Sequence, residues 1–150
     1  RVAELARPFD VSVRGIGEAW VVKAAHHGYQ RLPGRVTHRR SWLVNSSCLV
    51  VEDELTGKFT TADACFHFHP DARVVLDGSR GAISLSGGKR IEFAVLEGVA
   101  HLRESSHHPE FGLSVASQCL EVFLRNGNSR VVLSQDRSLS ESKPDLHQLS

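Results

Sequence analysis

The residues best suited to chemistry in this chain fall in the run 26–42, HHGYQRLPGRVTHRRSW, which holds four arginines, three histidines, one tyrosine and one tryptophan. Arginine grips carboxylate or sulfate in a two-pronged fork, so such a run suits an acidic or sugar-like ligand. In an extended strand, His38, Arg40 and Trp42 share one face and Arg39 and Ser41 the other. That stripe, with Arg31 on the segment before it, could hold an acidic sugar while the indole stacks on its ring. The alternative is an ion-pair network between layers of the fold, with Trp42 in the core.

A second group is CFHFHP at 65–70. Alternation puts His67 and His69 on one face of a strand and Phe66 and Phe68 on the other. A His-x-His pair is a common half of a zinc site, with Asp53, Asp63 or His101 as conceivable further ligands. Without a clear third ligand, two hydrogen-bonded histidines on a solvent or cleft face are the plainer alternative. His107 and His108 precede Pro109-Glu110-Phe111-Gly112 and read as solvated residues of an exposed loop. Glu52, Asp53 and Glu54 read as acidic residues at a hairpin end, not as an acid/base couple. Cys48, Cys65 and Cys119 are an odd set in apolar runs and read as buried, inert thiols. There is no Gly-x-Ser-x-Gly, phosphate-binding glycine loop or Cys-x-x-Cys.

The elements that must position these residues are short and alternating. Turn residues recur about every ten positions, and strands are expected over 11–14, 18–25, 36–44, 47–54, 58–69, 72–77, 81–86, 89–96, 100–104, 117–125 and 129–134. Residues 26–31 fall on a loop before the third of these. Gly87-Gly88 and Asn126-Gly127 are the strongest hairpin turns, since tight hairpins need positive backbone dihedrals. No segment keeps a helical period, and 2–6 is at most one turn. The pattern predicts an all-β antiparallel sandwich of ten or more strands in two extended sheets, with negligible helix. The domain is expected over 1–137, with a polar, fraying tail over 138–150.

Composition narrows the partners. At 150 residues with a formal charge of +1, the chain suits one domain and shows no general attraction for nucleic acid. No apolar run is long enough to cross a bilayer, and no secretory signal pattern is visible. The abrupt start without Met reads as a domain cut from something longer.

Several ordered motifs point to one family. His-x-Gly-Tyr-x-Arg-Leu (26–32), His-Arg-Arg-x-Trp (38–42), Val-x-Asp-x-Leu-x-Gly (51–57), His-x-His-Pro (67–70) and Pro-Glu-Phe-Gly (109–112) follow in sequence. With the opening RVAELARPFDVSV, this order resembles the C-terminal β-sandwich of the heparinase II/III-like polysaccharide lyases, over roughly 1–134. The resemblance implies a parent that cleaves acidic, uronate-containing glycans such as glycosaminoglycans by β-elimination, in the bacterial periplasm or outside the cell. It also implies that most catalytic Tyr and His residues lie on an α/α toroid upstream, beside a His-rich site for a divalent metal such as zinc or calcium. Such lyases use Tyr and His to move protons, which makes His27 and Tyr29 the candidates here. Gly28-Tyr29 equally fits a turn with its ring packed over a strand end.

The fragment itself is then expected to be inactive, supporting the toroid and walling the substrate cleft. The face left bare by the missing toroid could pair with a second copy of the fragment. The competing expectations are a carbohydrate-binding module, or a structural domain of a polysaccharide-assembly protein.

Overall fold

The computed structural model describes residues 7–135. Among these the chain forms eleven strands and no helix: β1 (Pro8–Ile16), β2 (Ala19–Tyr29), β3 (Val36–Val44), β4 (Cys48–Thr56), β5 (Asp63–His67), β6 (Arg73–Asp77), β7 (Arg80–Ser84), β8 (Arg90–Glu97), β9 (Val99–His107), β10 (Val115–Phe123) and β11 (Asn128–Ser134). Eight of them form one antiparallel sheet in the order β1-β2-β3-β4-β11-β8-β7-β6, and the other three form a second sheet, β5-β10-β9. The expected all-β sandwich is what the chain adopts. The tail expected over 138–150 and the turn over 2–6 lie outside the described residues.

The core follows from alternation along the strands. Val74, Ile83, Phe93, Val95 and Val131 of the large sheet meet Ala64, Leu120 and Val122 of the small one, with Phe66, Phe68 and Leu102 packed at the margin. Burying each of the larger side chains stabilises the fold by about 1.5–3 kcal/mol. Val21, Leu43, Val50 and Val132 form a second cluster. Pairing of Val50 with Leu43 and Val132, while Val51 pairs with Trp42 and Val131, puts this cluster on the other face of the large sheet.

The expected turn chemistry is present. Asn126 and Gly127 both have positive φ, 51° and 85°, as a tight hairpin with the native strand twist demands.

Four strands depart most from the sequence expectation: β5, β2, β1 and β9. The strand expected over 58–69 is only β5. Upstream, the Lys58 amide donates to the Gly34 carbonyl at 2.9 Å, and a Cβ on Gly34 would lie 1.7 Å from the Lys58 carbonyl oxygen. The two turns therefore interlock, and 57–62 cannot run extended. Downstream, the Ala72 amide donates to the His69 carbonyl at 2.9 Å and closes a turn over Pro70-Asp71. β2 runs on through Tyr29, with an irregularity between His26 and Tyr29, so His26, His27 and Tyr29 lie on a strand and not on a loop. β1 begins at Pro8, and β9 reaches His107, which was expected in a loop.

Candidate functional site

The hairpins β2–β3 and β3–β4 bring four polar side chains into one line. Register sets His26 opposite His38 and Arg40 opposite Asp53, and directly paired residues face the same side. Asp53 is 3% exposed. Arg40 donates through Nε to Asp53 Oδ1 at 2.6 Å and through Nη2 to Oδ2 at 3.0 Å, a two-pronged pair. The Ser129 hydroxyl donates to Oδ2 at 3.2 Å from β11. His38 Nε2 donates to Oδ1 at 2.6 Å. The Arg40 guanidinium also lies 5.5 Å from the centre of the Phe66 ring on the facing sheet.

The pattern of donors fixes the histidine tautomers. The Gly28 amide donates to His26 Nδ1 at 3.1 Å, so that nitrogen carries no proton. His26 Nε2 then donates to His38 Nδ1 at 3.0 Å, and His38 Nε2 donates onward to the carboxylate. One directed chain thus runs from the Gly28 backbone through two neutral imidazoles to Asp53. Burial alone pushes the Asp53 carboxyl up, but hydrogen bonds from His38 and Arg40, with the charge of Arg40, outweigh it and hold Asp53 below the usual carboxylate value. Burial, then the neighbouring His38 and His27, push His26 below the ordinary imidazole value.

This chain borders a cavity of about 580 Å³, lined among others by His26, Tyr29, Leu32, His38, Arg40 and Asp53. Tyr29, 44% exposed, has its ring 5.3 Å from that of His26. Arg31 is exposed on the following turn, its Nε donating to the Gly28 carbonyl at 3.3 Å.

The expected site residues are therefore divided. His38 and Arg40 lie together in the chain of hydrogen bonds, and Trp42, half-buried, continues their face toward the core. His27 is apart: its ring stacks on Phe9 of β1 with centroids 3.9 Å apart, and its Nδ1 meets Thr37 Oγ1 and Gln30 Nε2. It does not line the cavity with Tyr29. His67 ends β5, whereas His69 sits in the next turn, where its Nδ1 accepts from the Asp71 amide and its ring lies 5.6 Å from His107. The two are not neighbours on one strand. Of the cysteines, Cys119 is buried, Cys48 is half-buried and Cys65 is exposed, so buried thiols were expected too broadly.

Asp53, the centre of the site, was read as a hairpin-end acid. The missed signal is the two-residue turn at Ser46-Ser47: counting back from it along both strands places Asp53 opposite Arg40. His26 was missed because the strand was ended too early.

Comparison with known proteins adds the following. A family model described as "Heparinase II/III-like, C-terminal" matches residues 1–139. No curated sequence matches. Two similar solved structures are the heparan sulfate lyase HepC from Pedobacter heparinus and the heparinase III-BT4657 gene product. HepC has a TM-score of 0.66 and 17% identity, over 86% of this chain and 21% of that one. The second has a TM-score of 0.63 and 11% identity, over 85% of this chain and 21% of that one. The chain thus spans about a fifth of the length of these two proteins. At such identities the likeness shows a shared sandwich fold.

Proposed function

This chain belongs to the heparinase II/III-like family as its C-terminal domain, and from that premise we propose that it serves a polysaccharide lyase acting on acidic, uronate-containing glycans by β-elimination. Its part is to wall the substrate cleft and brace the catalytic toroid, in a parent that works in the periplasm or outside the cell. The observation that carries this reading is the Gly28–His26–His38–Asp53 chain, which ends in a buried carboxylate and leaves Tyr29 and Arg31 exposed beyond its outer end.

The chemistry favours support over proton abstraction. A general base needs a free lone pair within reach of the proton it takes. Both ring nitrogens of His26 and of His38 are already engaged. The network instead anchors the end of β2 and the turn after it. Arg31 on that turn offers a fork for a uronate carboxylate or a sulfate, and Tyr29 offers a ring face and a hydroxyl at the cavity.

A free-standing carbohydrate-binding module is less well supported. Trp20 and Tyr29 are exposed, but they sit at opposite ends of β2, about 30 Å apart by strand rise. They form no continuous stacking platform.

The test is incubation of the chain alone with heparan sulfate, alginate and pectate, following the ultraviolet absorbance of unsaturated uronate products. No product is expected, and release of product would overturn the division of labour. In the full-length polypeptide, Arg31→Ala is expected to raise KM with kcat nearly unchanged, as loss of uniform binding does.

A further inference from the structure

We infer that the outer face of the small sheet is a binding site for a thiophilic divalent metal ion of the zinc class, held by Cys65, His67 and Cys119. Cys65 also lines the cavity beside the His26–His38–Asp53 chain, but the ligand set shares no residue with that chain and needs no part of the lyase reading.

Register creates it. Cys119 of β10 pairs with His67 of β5, and Glu121 pairs with Cys65, so all four side chains face one side of the sheet. Ala64, Leu120 and Val122 face the other way, into the core. The two Sγ atoms and a ring nitrogen of His67 lie within 4.8 Å of one another, and Cys119 Sγ is 4.0 Å from His67 Nε2. A tetrahedral zinc ion, with Zn–S of about 2.3 Å and Zn–N of about 2.0–2.1 Å, sets S···S near 3.8 Å and S···N near 3.6 Å. Small side-chain rotations of the exposed Cys65 and His67 supply the difference.

The donor set and the neighbourhood fit that ion. Two thiolates and an imidazole are the soft-to-borderline ligands zinc selects over calcium or magnesium. They cancel the ion's two charges, and the thiol protons pass to solvent as it binds. Asp63 and Glu121 carboxylates lie within the same 4.8 Å of Cys65 Sγ and of each other, so either can take the fourth position. Arg103 is paired to Glu121, which offsets the cation beside the site. A direct disulfide fits less well. Cys65 and Cys119 are diagonal neighbours in the ladder, where Cα atoms stand about 7–8 Å apart, beyond the usual disulfide span of about 4.4–6.8 Å.

The reduced chain, kept free of oxygen and metal, is titrated with cobalt(II) and followed by absorption spectroscopy. One equivalent is expected to bind, with thiolate-to-cobalt charge-transfer bands in the near ultraviolet and tetrahedral d–d bands in the visible, both bleached by added zinc. Cys65→Ser and His67→Ala, at exposed positions that the fold does not need, are expected to weaken binding by more than the roughly 10–100-fold that loss of a supporting residue costs. His69→Ala is expected to leave it unchanged. Folding of each variant is checked by far-ultraviolet circular dichroism, so the buried Cys119 need not be replaced. Absence of charge-transfer bands in the folded, reduced chain overturns the inference. So does their survival in both Cys65→Ser and His67→Ala, or their loss in His69→Ala.

Discussion

On the large sheet, His26 and His38 have every ring nitrogen engaged, in a chain that ends on a buried carboxylate. On the small sheet, His67 ends a strand beside two thiols, with its Nε2 only within 4.0 Å of one of them. Both regions arise the same way, from register that sets polar side chains opposite each other on neighbouring strands. They differ in what occupies the centre. In the first it is Asp53, which four hydrogen bonds from His38, Arg40 and Ser129 satisfy. In the second the centre is held by long sulfur contacts alone, Cys119 Sγ to His67 Nε2 at 4.0 Å and Cys65 Sγ to Asp63 Oδ2 at 3.9 Å. A filled centre stiffens the fold, while an open one leaves capacity for a ligand.

The contrast breaks most easily at Asp53. Asp53→Ala strands Arg40 and uncouples His38, and removing one partner of a buried ion pair costs about 3–5 kcal/mol. For a domain of this size that lowers the melting temperature by about 10 °C, read by circular dichroism. A drop of only a degree or two would show that the chain is not a brace.

A smaller effect follows from pH. The folded His26 resists protonation, so below about 6.5 the unfolded chain takes up the proton more readily and stability falls. That loss proceeds until pH passes the lowered folded value, and it is absent above 6.5. Asp53 acts in the same direction in a lower window, beginning near 3.8 and running down through its lowered folded value. Replacement His26→Gln is expected to flatten the upper window and spare the lower one, in melting temperatures taken across the range. An unchanged upper slope would place the titrating group elsewhere.

The least effect belongs to the small sheet. Cys65→Ser in the metal-free chain should change stability by no more than about 0.5 kcal/mol, as exposed positions without packing do. Urea unfolding measures it, and a loss near that of Asp53→Ala would erase the distinction between the two regions.

Much of this architecture was readable from spacing alone. Alternation and turn residues placed all eleven strands of the described region, because the two-residue period and the backbone needs of tight turns are local. The errors lie where distant segments decide. β5 is short because the turn at Gly57-Lys58 locks against Gly34, more than twenty residues earlier. The role of Asp53 depends on Ser129, 76 residues away. His67 and His69 read as a pair on one strand but part company, since β5 ends at His67, and the thiol beside His67 comes from Cys119, 52 residues later. His27 and Tyr29 read as a pair but diverge, because the irregularity between His26 and Tyr29 turns His27 onto Phe9.

The place of β11 has a consequence in time. The strand lies between β4 and β8 and pairs with both, so among the described residues it alone joins the β1–β4 half of the large sheet to the β6–β8 half. As the polypeptide emerges from the ribosome, those halves stay separate until residues 128–134 arrive, each with an open edge ready for unintended pairing. A ribosome that stalls, or a frameshift before Asn128, therefore releases two half-sheets with bare edges. The last described strand decides whether synthesis yields a domain or a seed for aggregation.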